Sequence, residues 1–473
     1  MRPALILLAT ASLFAANTFA AGTVKLHGKI TNPISDSISV RFYESWVGYE
    51  PQTIGAKLAA DGSYSLSFPL RYKYTNVTIT HGGQETEFTP APGDDLTLNI
   101  DAKNFDSSLH YEGKGADVAN FNVKHMLFSG GVLQFSRQTQ IAASAEPDKE
   151  EDILKADLQK ELDFLEANGK SLPADFKKSW KAIFQYGVYY SMMMYPTFHE
   201  MQKQHSYSIK NIPKEDYVTV AQVPAAFDDD LLNITAYRLY IGMYYREKDK
   251  AKNAGDTTSK ESMNDFSDVE KAYKNMPKKS AEVFAANDLW MKVKYLQRPE
   301  FEKRVNVFKE RYPHSEYLPL LEEKLALKKK VGVGSMAMDF SFTTIDGKSM
   351  KLSDFKGKVV YLDFWASWCG PCIGEMPSAK KLEANYKDKN IVFLYVSIDA
   401  DEASWKKAMD KLQIEGVHTR DGGGWEGNIA KLYGVNGIPA YFLIDKEGKF
   451  ALDVTPRPSS NTTLTDAIDK LLQ

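Results

Sequence analysis

The residues best placed to do chemistry are the chain's only two cysteines, Cys369 and Cys372, separated by Gly370 and Pro371. They follow Val359–Trp365, an apolar, β-branched and aromatic run interrupted by one acid, Asp363, which reads as a buried strand. The residues after Cys369 read as a helix that starts at the motif and is kinked or restarted at Pro377. A strand delivering Cys-x-x-Cys to a helix N-terminus is the arrangement of a dithiol redox site, whose two sulfurs need unequal roles. Cys369 is expected at the helix start, where unpaired N–H groups and the positive dipole end favour a thiolate. Cys372, one turn further in and more deeply placed, is expected to attack the mixed disulfide that Cys369 forms. The attacking sulfur of such a pair titrates near about 7 against about 8.5 for a free thiol, a difference of roughly 2 kcal/mol. A helix dipole supplies about 0.3–1 kcal/mol at an exposed site, so a hydrogen bond from the Cys372 thiol is expected to supply part of the rest. Gly370 and Pro371 keep the turn tight and leave the outer sulfur uncovered, and with Trp368 they make the expected substrate-facing surface.

Two carboxylates fall where proton transfer needs them. Asp363 lies six residues before Cys369 on the feeding strand, and Glu375 lies three residues after Cys372, one helical turn on. A buried carboxylate has a raised pKa and can take the proton from Cys372 as it attacks. Downstream, Gly434–Asp445 reads as a turn and a hydrophobic strand with Pro439 at its entrance, where no ladder N–H is needed. A cis Ile438–Pro439 bond facing the cysteines is the expected use, with the Ile438 backbone pairing an extended substrate segment as an added strand. A structural zinc site would need four ligands. No further cysteine and no neighbouring histidine pair supplies them, so neither a metal nor another cofactor is expected.

From about Gly332 to Gln473 the chain resembles thioredoxin-fold domains of the TlpA/ResA type. The segments that carry the likeness are Met338-Asp-Phe-Ser-Phe, Asp346-Gly-Lys, Leu352-Ser-Asp-Phe-Lys-Gly-Lys, Asp363-Phe-Trp-Ala-Ser-Trp-Cys-Gly-Pro-Cys, Glu375-Met-Pro, Gly437-Ile-Pro and Phe442-Leu-Ile-Asp-Lys-Glu-Gly-Lys. The resemblance implies a thiol–disulfide oxidoreductase with Cys369 as nucleophile, Cys372 as resolving thiol and Pro439 as cis-proline. Family members often carry Asn where this chain has Asp363. Gly-Pro between the cysteines is the dipeptide of thioredoxin, whose potential near about −270 mV lies roughly 7 kcal/mol below that of the oxidant DsbA. Reduction of protein disulfides is therefore the leading expectation. The resemblance also implies a membrane electron donor, and apocytochrome c is one substrate class of the family. The alternatives are a disulfide oxidase or isomerase using the same sulfurs, and a partner-binding scaffold in which the redox domain is secondary.

The elements that must carry this site divide the 473 residues into a multidomain chain: a leader at 1–20, a β-sandwich at 21–115, a helical domain at 116–330 and an α/β domain at 331–473. Arg2, the apolar Ala4–Ala16 and the small-x-small site Thr18-Phe-Ala20 read as a cleaved secretory signal, which predicts a periplasmic protein. Net charge is −3, so nothing points to nucleic acid. Alternation at Val24/Leu26, Ile38/Val40/Phe42, Tyr64/Leu66/Phe68, Val77/Ile79 and Leu96/Leu98/Ile100 predicts an antiparallel sandwich or small barrel. That segment resembles the β-domain preceding thioredoxin modules in exported bacterial proteins, on Asp61-Gly-Ser-Tyr, Pro92-Gly-Asp and Gly113-Lys-Gly-Ala.

Helical periodicity takes over at about Asp117, with Leu154, Leu158, Leu162 and Leu165 on one face and Phe176, Trp180 and Phe184 on the next helix. Further helices are expected around 228–249, 268–274, 281–295, 299–312 and 317–329, with Lys250–Asn264 a loop. Tyr189–Tyr195, with its three consecutive methionines and the nearby His199, Met201 and His205, offers soft and imidazole ligands for copper. Consecutive methionines point around a helix, so core packing is the expectation. The tyrosines between Tyr186 and Tyr195 and between Tyr237 and Tyr245 are likewise expected to pack between helices. Two glycines in Val331–Gly334 permit a hinge before the last domain, whose strands are expected at 359–365, 391–398, 440–444 and 449–454.

Overall fold

A computed structural model of the chain describes residues 22–48, 51–130, 138, 140, 143–205, 212–254, 265–460 and 462–473. The leader and the Lys250–Asn264 stretch beyond Ala254 lie outside the described residues. The described residues gather into two compact units, one drawn from 22–203 and 212–254, the other chiefly from 265–473. Among them no helix is long and apolar enough to cross a membrane.

The first unit begins with eight strands: β1 Gly22–Thr31, β2 Ser37–Tyr43, β3 Pro51–Lys57, β4 Ser63–Leu70, β5 Val77–His81, β6 Gln84–Phe88, β7 Asp95–Asp101 and β8 His110–Lys114. In β4 the alternation places Tyr64, Leu66, Phe68 and Leu70 inward and the serines outward. The strands form two sheets, β4-β1-β7-β8 and β3-β2-β5-β6, whose inner faces share one core. The sandwich is not wholly antiparallel as expected, because β1 and β7 pair in parallel. Parallel neighbours need a long crossover, and here the chain passes through the second sheet between them. Strands β3, β6 and β8 were not foreseen, for each carries few inward apolar residues.

The longer helices of this unit among the described residues are α1 Ala116–Ser129, α2 Glu150–Asn168, α3 Ala174–Lys203 and α4 Thr235–Lys252. Phe121, Phe164, Phe176, Trp180 and Phe184 form an aromatic core among α1, α2 and α3. Met192, Met193 and Met194 are buried. Tyr186 and Tyr189 on α3 meet Tyr237 and Tyr240 on α4 with ring centroids 4.9–5.8 Å apart, so these tyrosines pack between helices.

The second unit starts with α5 Ser267–Asn275, α6 Lys278–Lys292, α7 Arg298–Arg311 and α8 Leu318–Lys330. The connection that follows is pinned rather than hinged: Val333 N–H donates to Asp453 Oδ1 at 2.8 Å and Gly334 N–H to the Phe450 carbonyl at 2.8 Å. A small hairpin, β9 Ser341–Thr343 and β10 Ser349–Lys351, precedes a four-stranded sheet. Its strands are β11 Val359–Trp365, β12 Ile391–Ser397, β13 Val417–Arg420 and β14 Ala440–Ile444, in the order β13-β12-β11-β14. β11, β12 and β13 run parallel and β14 antiparallel. Helices α9 Gly370–Asn385, α10 Glu402–Leu412, α11 Asn428–Tyr433 and α12 Thr462–Leu472 complete this thioredoxin-like domain.

One expectation is overturned here and another is narrowed. Residues Lys449–Val454 are not a strand and make only isolated bridges, because the Leu443 N–H goes to Thr455 Oγ1 instead of a partner carbonyl. Helix α9 runs through Pro377 without restarting, carried by the buried face of Met376, Ala379 and Leu382.

Candidate active site

Strand β11 is buried at every residue, as a central strand with helices on both faces must be. The chain leaves it through Ala366–Trp368, a turn held by Asp399. Asp399 accepts hydrogen bonds from Ser367 N–H at 2.8 Å, Ser367 Oγ at 2.6 Å and Ser397 Oγ at 2.7 Å. Nothing in the local sequence around the motif signals Asp399, which lies 30 residues beyond Cys369.

Cys369 caps α9, its Sγ accepting the Cys372 N–H at 3.2 Å, and Pro371 occupies the first turn, where its missing N–H costs nothing. The two sulfurs are joined as a disulfide. Cys372 is the more buried at 1% exposed, as expected. Cys369 is not left uncovered, however, at only 5% exposed, because its side chain turns back over the first helical turn. The exposed neighbour is Trp368, 58% accessible, whose ring meets that of Trp425 edge-on at 5.9 Å. Trp425 follows the three glycines 422–424 and was not singled out by any motif.

The Ile438–Pro439 peptide is cis. Pairing of Phe364 with Ala440 sets Pro439 level with Trp365, at the end of the sheet from which the Cys369 turn departs. A cavity of about 330 Å³ adjoins this loop, with Gly437, Pro439, Tyr441, Arg457, Lys294 and Lys328 in its wall. Burial pushes the Lys328 ammonium down to about 8.

Three buried carboxyls lie on β11 and α9, the elements that carry the motif. Asp363 faces Tyr395 and Tyr441 across the sheet, is 2% exposed, and its Oδ1 receives no hydrogen bond from the described residues. Burial above all, then the charges of Glu375 and Glu383, holds its pKa well above the usual carboxylate range. Glu375 is not a helix-surface acid: it is buried and accepts from Ser459 N–H at 3.0 Å and Ser459 Oγ at 2.9 Å, with Arg457 Nη1 3.8 Å away. Glu383, which the motif did not reveal, accepts from Tyr395 Oη at 2.7 Å and is pushed up to about 7 by burial. A disulfide-forming pair fed by a strand that carries a buried carboxyl, Asp363, whose pKa burial raises, can exchange electrons as thiols and disulfides.

Comparisons with known proteins bear on the C-terminal domain. Residues 332–462 match the Redoxin family model. Thiol-disulfide oxidoreductase ResA of Bacillus thuringiensis subsp. konkukian is 36% identical over 127 residues, 27% of this chain and 72% of that protein. Thioredoxin-like protein YneN of Bacillus subtilis is 36% identical over 125 residues, 26% of this chain and 71% of that protein. The solved thioredoxin domain of a thiol-disulfide oxidoreductase from Bacteroides vulgatus is 30% identical, covering 30% of this chain and 99% of that one with a TM-score of 0.28. The matched span contains both cysteines, the acids beside them and the cis-proline, and through this C-terminal domain the chain belongs to the ResA-type thiol–disulfide oxidoreductases.

Proposed function

We propose that the protein is exported to the periplasm through its Met1–Ala20 leader and there reduces disulfides of protein substrates with the Cys369/Cys372 dithiol. The carrying observation is that the chain's only two cysteines are bonded to each other at the N-terminus of α9. A Cys-x-x-Cys bond closes too small a loop to hold a large fold, so its use is to be made and broken.

In the reduced enzyme the Cys369 thiolate, favoured by the start of α9, attacks one sulfur of the substrate disulfide. The substrate S–S bond breaks, one substrate thiolate leaves and takes a proton from water, and the other sulfur stays bonded to Cys369. Cys372 then gives its proton to Asp363 in its ionised form and attacks Cys369 Sγ. The mixed disulfide breaks, the second substrate thiolate leaves, and the Cys369–Cys372 bond forms, so two electrons have passed to the substrate. Trp368, Gly370 and Pro371 flank the attacking sulfur, while Ile438 and Pro439 offer the edge along which an extended substrate segment lies. A membrane-bound thiol donor returns the electrons.

Replacing Cys372 by Ser tests this sequence of steps. The expected result is covalent adducts through Cys369, released by dithiothreitol and absent when Cys369 is also replaced. Retention of partners without any covalent product would favour the scaffold alternative. A mature N-terminus at Ala21 in the periplasmic fraction is the expected export result, and an intact Met1 start in the cytoplasm would contradict it.

A further inference from the structure

The stretch that offers soft ligands for copper contains a different donor set. Helix α3 carries His199 and Glu200 in its last turns, and the 3-10 turn Lys214–Tyr217 brings Asp216 against them. One ligand atom from each of these three side chains lies within 4.8 Å of the other two. Asp216 is 2% exposed, and among the described residues no hydrogen-bond donor reaches its Oδ2. Glu200 is 3% exposed, and Lys203 Nζ lies 3.1 Å from Glu200 Oε1 on a side chain 60% exposed.

Asp216 Oδ2 is therefore a buried carboxylate oxygen without a donor among the described residues, and a buried charge is tolerated only when paired or bound to a metal. The histidine is oriented as a ligand. Its Nδ1 lies 3.2 Å from the Ala143 carbonyl oxygen, which can only accept, so Nδ1 carries a hydrogen and Nε2 is the nitrogen left for a metal. A carbonyl on the far ring nitrogen is the usual second support of a metal-bound imidazole. The ring also stacks on Tyr195 at 4.9 Å, and Tyr195 Oη is itself fixed on the Ala145 carbonyl at 2.8 Å. The soft sulfurs of Met192, Met193 and Met194 are buried in the helix core.

We infer that His199 Nε2, Glu200 and Asp216 bind a divalent first-row cation. One imidazole and two carboxylates suit Zn²⁺, which with three protein ligands keeps a fourth position for water. The ion ties the end of α3 to the Lys214–Tyr217 turn.

The test uses the full mature chain, fully oxidised so that the dithiol cannot bind metal, stripped with a chelator and free of any histidine tag. Titration calorimetry with ZnCl₂ and elemental analysis are expected to give one Zn²⁺ per chain. Zn²⁺ is expected to raise the melting temperature of this chain but not of Asp216→Asn, and Asp216→Asn and His199→Gln are each expected to weaken binding at least about tenfold. Both variants should keep the circular dichroism spectrum and the Cys369 attack rate of the unaltered protein, which separates lost binding from lost folding. With Co²⁺ as probe, visible d–d bands should form in the unaltered chain and be absent in His199→Gln. The inference is overturned if the oxidised chain takes up no stoichiometric Zn²⁺, or if both variants bind it as tightly as the unaltered protein.

Discussion

Replacing Asp363 by Asn removes a titrating group without changing its shape, and two separate measurements should respond. Asp363 is 2% exposed, and burial and neighbouring acids hold its pKa up. In the unfolded chain an Asp ionises near about 4. Between that pH and the raised folded value, the native state keeps a proton that the unfolded state has lost. The slope of unfolding free energy with pH follows protons bound in the unfolded state minus those in the native state, so it is negative across this window. Asp363 thus lowers stability as pH rises from about 4, by at most about 1.4 kcal/mol per pH unit, until it ionises in the fold. Asn has no such term. Urea unfolding of the oxidised proteins should therefore show Asp363→Asn gaining on the unaltered protein from acid toward neutral pH, with the difference shrinking below about pH 4. The kinetic arm uses an aromatic disulfide whose thiol product is coloured. The first coloured thiol reports attack by Cys369, and the second reports resolution by Cys372. Loss of a general base typically costs about 10²–10⁴-fold, so the second release should slow by at least about a hundredfold while the first changes little. Parallel pH–stability curves, or a second release within a few-fold of the unaltered rate, would refute the role given to this carboxyl.

Asp399→Ala strips three donors on Ser367 and Ser397 of their acceptor. An unsatisfied buried donor costs about 1–3 kcal/mol; the expected outcome is a loss of roughly 3 kcal/mol in urea unfolding and a slower first release as the Cys369 turn loosens. Trp425→Ala removes one ring of the exposed Trp368–Trp425 pair. Such a pair contributes about 0.5–1.5 kcal/mol, so KM for a protein disulfide should rise about two- to tenfold while attack on the small coloured disulfide stays unchanged. Glu375→Ala leaves the Ser459 N–H and hydroxyl without their carboxylate. Hydrogen bonds to a charged group contribute about 1.5–3 kcal/mol, and a fall in urea stability near 2 kcal/mol is the expected reading.

What the sequence made legible was local. Val359–Trp365, Cys-Gly-Pro-Cys and Gly437-Ile-Pro each put their signal within a few consecutive residues, and the strand, the disulfide-bonded pair and the cis peptide are where those signals point. Asp399, Trp425 and Ser459 reach the motif only through tertiary folding, from 27 to 87 residues beyond Cys372, and no spacing rule connects them to it. A sequence shows which residues suit a strand and not which backbone they will pair with: at 449–454 the Phe450 N–H goes to the Ser335 carbonyl and the Ala451 N–H to the Leu443 carbonyl, two different segments, so no continuous ladder forms. The same limit hid the parallel pairing of β1 with β7, since two strands alternate alike whichever direction their neighbour runs.

Burial is the quantity that decides the chemistry of the acids, and it is the one that spacing conveys least. From position alone Asp363, Glu375 and Glu383 are interchangeable: one in a strand and two on the helix after the motif. In the fold they separate by partner. Glu375 has the Ser459 donors, Glu383 has the Tyr395 hydroxyl, and Asp363 Oδ1 has no donor among the described residues. A carboxylate without donors is the one whose charged form is least stabilised, so Asp363 is the member of the three that gains most from taking a proton. That ordering is why the proton leaving Cys372 is assigned to Asp363, and why its replacement should separate resolution from attack where replacement of Glu375 should chiefly lower stability.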